Sequence, residues 1–269
     1  MIKRKKCKIH IRDIEINLFY YLYSYKVATA KQIARDIYPH ISHQALYKRL
    51  NILIKTGLID GNYIKELRGK LVYSLTQKCL RVYFFKNQKG MRKQTKSDSI
   101  LHDLDLLDIS QTLKSSRLVS NYLTENVLKS GVSIDDYDEI DCIQKLAPDA
   151  IFKLKLKDQS FTFAIEYERN LKFSNRYNKF FNKYYANSFI DGVILIGRDL
   201  KITKTLMAKE KSICDVSHRK FFYLDLEKMN ILNQTISFYN LNGEAIELDL
   251  SSRSAVHTCN PADVSMSLV

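Results

Sequence analysis

The stretch Phe161-Thr-Phe-Ala-Ile-Glu-Tyr-Glu-Arg169, entered through Pro148-Asp149, decides the reading of the second half of the chain. Its period of two predicts a strand with Phe161, Phe163, Ile165 and Tyr167 on one face and Thr162, Ala164, Glu166 and Glu168 on the other. The preceding run, Ala150 to Lys157, predicts a partner strand with Asp149 at its mouth. A hairpin through Lys157-Asp158-Gln159-Ser160 returns Asp149 to the Glu166/Glu168 end. Three gathered carboxylates repel one another, and a divalent cation is the usual way to hold them together. Two plainer roles stay open: an Asp after Pro also opens turns, and Glu-x-Glu also makes the solvated face of an edge strand.

Outward from this stretch, Leu171 to Phe189 predicts an aromatic helix with Lys172, Arg176, Lys179 and Lys183 on a basic face. The apolar run ending at Gly197 predicts a strand buried on both faces, so strand, helix and strand form a parallel crossover. Thr203 to Cys214 predicts a helix and Phe221 to Asp225 a strand. Upstream, Ile100 to Leu113 predicts a helix carrying His102, Asp103, Asp105 and Asp108, and Tyr122 to Leu128 a first strand carrying Glu125. Residues 131–147 read as an acidic loop. The expected fold is a mixed α/β (α+β) sheet over residues 98–250, followed by a disordered tail over 251–269.

Charge divides the chain. Residues 1–96 carry 22 Lys+Arg against 5 Asp+Glu, a net of +17, and residues 97–269 carry 21 against 24, a net of −3. So basic an N-terminal part predicts a polyanion-binding module in front of a second one. Residues 1–11 form a basic arm. Thr29-Ala-Lys-Gln32 has the capping-box pattern, and Ser42 caps a helix from His43 to Lys55 with Leu46, Leu50 and Leu53 as its core stripe and Gly57 at its end. Tyr63 to Leu67 and Leu71 to Leu75 predict a hairpin over a basic Gly turn. The phrases Ala28-Thr-Ala-Lys-Gln-Ile-Ala34, Ala45 to Ile59 and Gly69 to Thr76 resemble the winged helix-turn-helix superfamily over residues 12–85. Docked as such modules dock, Ser42, His43, Gln44 and Tyr47 face bases, Lys48 and Arg49 face phosphates, and Lys65, Arg68 and Lys70 of the wing reach the backbone or the minor groove of double-stranded DNA. Residues 86–97 are polar and aperiodic and read as a linker.

Five cysteines, odd in number and far apart, argue against a disulfide framework or zinc ribbon and for a reducing, cytoplasmic setting. No run of eighteen apolar residues predicts a membrane span. Hydrophobic residues make up 45% of the chain, enough to build proper cores.

The order helix, three strands, helix, strand, with Pro148-Asp149 and Glu166-Tyr-Glu168 on the second and third strands, resembles the PD-(D/E)xK nuclease superfamily, the restriction-endonuclease-like fold. The likeness implies Mg²⁺ or Mn²⁺ held by Asp149 and Glu166, with Glu168 as ligand or base and Glu125 or Asp103 completing the shell. It implies His102 at the scissile phosphate. The family's usual Lys stands at Glu168 here, and Lys172, Lys179 or Lys183 of the following helix would replace it. Together with His102-Asp-Leu-Asp-Leu-Leu-Asp108 and Ala147-Pro-Asp-Ala-Ile-Phe152, the chain resembles the replication-relaxation family, which includes MobC-type relaxases. That implies metal-dependent nicking of one strand at a plasmid or integrative-element transfer origin. It also implies relaxosome accessory and coupling proteins as partners, and it allows a homodimer. The alternative is a non-catalytic DNA-binding replication or transcription regulator with a degenerate nuclease fold.

Overall fold

Helix α1 (Asp13–Tyr25) presents Leu18, Phe19 and Leu22 to a core at helical spacing, and all three are fully buried. Helix α2 (Ala30–Asp36) begins with the expected capping box: the Thr29 hydroxyl accepts from the Gln32 N–H at 3.3 Å, and the Gln32 carboxamide oxygen accepts from the Thr29 N–H at 3.0 Å. Helix α3 (His43–Lys55) runs from its Ser42 cap and buries Leu46, Leu50 and Leu53, as the apolar stripe predicts. Two-residue β1 (Ala28–Thr29), β2 (Ile59–Ile64) and β3 (Lys70–Leu75) form a three-stranded antiparallel sheet in the order β1-β3-β2. Strand β2 starts earlier than expected, and residues Lys65–Leu67 form a 3-10 turn. Arg68 and Gly69 then close the bend with φ of 54° and 72°. Helix α4 (Gln77–Tyr83), capped by Thr76, is an element that the apolar spacing did not announce.

The computed structural model describes residues 10–84, 96–130, 140–214, 219–229 and 234–250. The basic arm from Lys3 to Lys8, the linker from 86 to 95, the acidic run from Asp135 to Glu139 and the tail 251–269 lie outside the described residues. Among those described, no helix is long and apolar enough to cross a membrane.

The second half is built on a seven-stranded mixed sheet. Helix α5 (Ile100–Lys114) leads into β4 (Val119–Thr124), α6 (Glu125–Leu128) and α7 (Ile140–Leu146). Strands β5 (Ala150–Leu156) and β6 (Gln159–Glu168) then form the expected hairpin. Helix α8 (Ser174–Tyr185), β7 (Gly192–Gly197), α9 (Leu200–Ile213) and β8 (Phe221–Asp225) continue the α/β alternation. Strands β9 (Thr235–Tyr239) and β10 (Ala245–Asp249) complete the order β10-β9-β8-β7-β6-β5-β4. Pairs β6–β7 and β7–β8 are parallel and the other pairs antiparallel. All six residues of β7 are buried, as its continuous apolar run predicts.

Three local expectations are corrected. Glu125 is not on a strand: β4 ends at Thr124 and Glu125 opens α6, where its N–H donates to the Asp149 carbonyl at 2.8 Å. Residues 140–146 are helical, with Ile143 and Leu146 buried against the sheet. Helix α8 starts at Ser174 rather than Leu171, because the chain leaving β6 first has to turn back across the sheet. The Tyr177 hydroxyl fastens that turn, accepting from the Lys172 N–H at 3.1 Å.

Helix α5 has little amphipathic contrast because it is covered on two sides. Leu107 belongs to the core of α1–α4, while Ile109 and Leu113 belong to the core over one face of the large sheet. Helices α8 and α9 cover the other face. The N-terminal elements are thus joined to α5 and α6 by direct packing and polar contacts. The Asn126 amide donates to the Tyr23 carbonyl at 2.7 Å, the Thr124 hydroxyl to the Ser24 carbonyl at 2.9 Å, and the Gln32 amide to the Leu104 carbonyl at 3.2 Å. Buried Lys26 sits among them, its ammonium 2.6 Å from Glu125 and 3.7 Å from Asp103. Lys26→Met leaves the Asp103 and Glu125 carboxylates short of a counter-charge and is expected to cost roughly 3 kcal/mol. Asp108→Ala, which breaks the more exposed pair to Arg35 and leaves Arg35 its contact with Asp36, is expected to cost under about 1 kcal/mol. Denaturant unfolding of the two variants checks the contrast.

Candidate functional site

The β5–β6 register pairs Ala150 with Ile165, so Asp149 lies beside Glu166 at the mouth of the hairpin. The Asp149 N–H donates to the Ile165 carbonyl at 3.1 Å, and its carboxylate accepts from the Tyr167 N–H at 2.8 Å. Asp149 is therefore held by its main chain and its side chain. Alternation along β6 sends Ile165 and Tyr167 into the core under α5 and Ala164 into the core under α8. Glu166 points to the α8 side, where the Tyr184 hydroxyl donates to it at 2.5 Å. Glu168 is buried and pairs with Lys172 at 2.7 Å.

The electrostatics show three acids crowding one another. Burial pushes the Glu166 carboxyl well above its ordinary value, and the charges of Asp149 and Glu168 push it further than the Tyr184 hydrogen bond and Lys172 pull it back. Burial also raises Glu168, with Lys172 opposing and Asp149 assisting. Glu166 and Glu168 thus keep their protons to higher pH than ordinary carboxyls, and a cation placed among the three would reverse that.

Helix α5 brings its motif to the same end of the sheet, where the polar residues of His102-Asp-Leu-Asp-Leu-Leu-Asp108 reach partners on several elements. The His102 Nε2 lies 3.1 Å from the Tyr167 carbonyl and 3.6 Å from Asp149, with Nδ1 3.5 Å from Asp103. Burial lowers the imidazole pKa, but Asp103 and Asp149 more than reverse this and lift it to about 10. His102 is therefore an imidazolium at neutral pH, and its Nε2–H donates to the Tyr167 carbonyl. Asp105 accepts from the Tyr167 hydroxyl at 2.7 Å and pairs with Arg169. Asp108 pairs with Arg35 at 2.8 Å.

Asp103 and Glu125 lie next to Asp149 around a cavity of about 20 Å³ that Lys26 and Asn126 also line. Buried oxygens of Asp103 and Asn126 that accept no hydrogen bond lie in these lining residues, and the volume suits one water. Glu125 is engaged by Lys26 and Lys129. Burial works against its ionisation, but these two lysines outweigh it and draw the carboxyl down to about 2. Glu125 and Asp103 thus share this cavity with Asp149 and both face Lys26 at the junction with α1.

Lys179 and Lys183 are not among the carboxylates. Helix α8 turns Tyr177, Phe181 and Tyr184 inward, and both lysines are exposed on its opposite side. The cation that reaches the cluster is Lys172, from the turn before α8.

Among the described residues no group of three or more His, Cys, Asp or Glu side chains is disposed as metal ligands. The donor chemistry nevertheless fits a hard, oxygen-binding cation, since Asp149, Glu166 and Glu168 offer carboxylates whose mutual repulsion such an ion would relieve.

In the N-terminal half His43, Gln44, Tyr47 and Lys48 are exposed along the first turns of α3, and Lys65, Arg68 and Lys70 are exposed at the β2–β3 bend. Ser42 is exposed but spends its hydroxyl on the Ala45 N–H. Arg49 departs from expectation. Its guanidinium turns inward to buried Glu15 at 2.9 Å and to the His10 carbonyl at 2.9 Å, because Glu15 is otherwise an under-compensated buried charge. Sequence reasoning named Lys172 among three lysines for the acids, but passed over Tyr63, which is 77% exposed on β2, and over Lys26 and Tyr184 as partners of the acids. An aromatic at an outward position of a basic hairpin could have revealed the first. The other two depend on packing between separate elements.

Comparison with protein-family models, with curated proteins and with solved structures finds no match for this chain.

Proposed function

We propose that this chain is a DNA-binding, divalent-metal-dependent endonuclease that nicks one strand of duplex DNA, as a relaxase does at a transfer origin to begin conjugative mobilisation. The observation that carries this reading is the meeting of Asp149, Glu166 and Glu168 at one end of a sheet reached in the order α5, β4, β5, β6, α8, β7. That order and those positions are the ones the PD-(D/E)xK resemblance leads one to expect. Three N-terminal helices, a small antiparallel sheet and an exposed basic bend support reading residues 12–84 as a winged helix-turn-helix.

In this reading Asp149 and Glu166 hold Mg²⁺ or Mn²⁺, with Glu168 beside them, and the bound ion supplies Lewis-acid activation of the phosphate and of water. The chain's own residues position these acids. The Tyr167 N–H orients Asp149, the Tyr184 hydroxyl orients Glu166, and Lys172 balances Glu168. His102 lies 3.6 Å from Asp149 and would meet a phosphate oxygen by giving up its bond to the Tyr167 carbonyl. Exposed His43, Gln44 and Tyr47 supply base contacts, and Lys48, Lys65, Arg68 and Lys70 supply backbone contacts.

A second reading, a non-catalytic DNA-binding regulator, is favoured by the pairing of Glu168 with Lys172 at a position where an acid replaces the expected Lys. The deciding experiment is nicking of supercoiled plasmid carrying the cognate transfer origin, with Mg²⁺, with Mn²⁺ and with EDTA. The nuclease reading expects open-circular product with either metal and none with EDTA. Binding of the plasmid with no product under any metal would leave the regulator.

A further inference from the structure

Segment 169–190 contains five cations, Arg169, Lys172, Arg176, Lys179 and Lys183, and no acidic residue. On α8 these cations alternate with carboxamides: Asn175, Arg176, Asn178, Lys179, Asn182 and Lys183 are all exposed, while Tyr177, Phe181 and Tyr184 fill the core. Their spacing confines them to one solvent-facing side of the helix. At its N-terminal end Phe173 is 94% exposed and Leu171 is 41% exposed, on the turn that leaves β6 five residues after Glu168. A nearly bare phenyl ring is costly in water and contributes nothing to this core.

We propose that Phe173 and the exposed face of α8 form a single-strand platform beside the carboxylate cluster, with Phe173 stacking on an unpaired base and Arg176 and Lys179 holding the flanking phosphates. Charge complementarity selects a polyanion, since the face carries cations and amides only. From Arg176 to Lys183 the helix rises about 10 Å, the span of two or three consecutive phosphates. The ring selects unpaired nucleotides, because within a duplex the base faces are closed by their neighbours. Asn175, Asn178 and Asn182 supply the donors and acceptors that base edges use. An anionic membrane would also attract cations beside Phe and Leu, but a surface-lying helix needs a continuous apolar side, and that side of α8 is buried in the core. Lys172, the residue before Phe173, pairs with Glu168 at 2.7 Å, so a strand lying on this face passes the acids. The choice of DNA as the polyanion rests on the function proposed above. The platform itself is tested without metal, so the two can fail separately.

The chain contains no tryptophan, so Phe173→Trp places a sole indole at the platform, and its exposed position removes folding as a complication. The full-length variant is titrated in EDTA with a sixteen-nucleotide oligothymidylate, with a duplex of equal length, and with vesicles of phosphatidylglycerol and phosphatidylcholine. The expected result is quenching of the indole fluorescence by the single strand and not by the duplex. Phe173→Ala is expected to weaken single-strand binding about tenfold, within the range of one base–aromatic stack, and duplex binding less than twofold. Arg176→Ala with Lys179→Ala lowers the salt slope of single-strand binding by roughly 1.4. An indole that stays silent while anisotropy shows the oligonucleotide bound overturns the platform and leaves the nuclease reading intact, as does single-strand affinity unchanged in Phe173→Ala. A response to vesicles and not to the oligonucleotide assigns the face to lipid and also overturns it. Quenching by the single strand in a chain that never nicks keeps the platform and removes the enzyme.

Discussion

On the nuclease reading, Asp149→Asn is expected to lower metal-dependent nicking by roughly a hundredfold or more, the upper part of the range over which metal-site partners act, and to leave duplex affinity unchanged. Asparagine keeps an oxygen to accept the Tyr167 N–H that Asp149 now receives at 2.8 Å, so the hairpin mouth retains its shape. What disappears is one negative charge. Two titrations report that loss without any catalysis. The Glu166 carboxyl, pushed up partly by Asp149, falls towards its ordinary value. The His102 imidazolium, lifted to about 10 partly by the same carboxylate, also titrates at lower pH. The His102 shift is read by NMR of the ring protons. Full nicking in Asp149→Asn, with the His102 shift present, would sink the metal-site assignment, because the charge would then have been removed without chemical consequence.

Glu15→Ala destabilises the chain by about 3 kcal/mol, the lower end of what breaking a buried ion pair from one side costs. In a chain of this size that lowers the melting temperature by about 10 °C. Glu15 is fully buried and accepts from the Arg12 N–H at 2.7 Å, from the Arg12 guanidinium at 2.7 Å, from Arg49 at 2.9 Å and from the Tyr38 hydroxyl at 3.3 Å. It ties the entrance of α1 to α3 and to the end of α2. Burial alone raises its carboxyl pKa, but the hydrogen bonds from Arg12 and Arg49 outweigh burial and lower it. A depressed carboxyl contributes stability that is complete above its ordinary value near 4.5 and is lost as pH falls through the folded-state value. The gap between wild type and Glu15→Ala, measured by urea unfolding, is therefore expected to be constant from pH 7 to about 5 and to narrow below. Glu15→Leu combined with Arg49→Leu recovers part of the loss, since the less exposed Arg49 charge goes with Glu15 and the remaining partner, Arg12, reaches solvent. A gap that widens on acidification would show that Glu15 is not ionised in its pocket.

Much of the local structure was legible because it rests on short-range physics. The Ser42 and Thr29 caps, the Leu46-Leu50-Leu53 stripe, the buried run of β7 and the alternation along β6 depend on residues at most a few turns apart. The hairpin that returns Asp149 to Glu166 follows from strand length and a tight turn. Helices α4 and α7 and strands β9 and β10 were missed because they are short, and tertiary packing supplies what their own propensity does not. Helix α5 was placed correctly but its role was hidden. A helix covered on two sides has no polar face to announce which neighbour each residue meets.

The division of charge, the order of helices and strands around the hairpin, and the convergence of Asp149 with Glu166 could all be read from the residues in line. Each is a consequence of composition or of periodicity along a few consecutive positions. Which cation meets which acid was settled only by the folded arrangement. It set Lys26 against Glu125, 99 residues away, turned Arg49 inward to Glu15, set Lys172 rather than Lys179 or Lys183 on Glu168, and left Phe173 bare at the edge of the cluster. Side chains that pair across a junction are placed by the rigid packing of distant elements, and the Coulomb and desolvation energies that choose among lysines have no period along the chain.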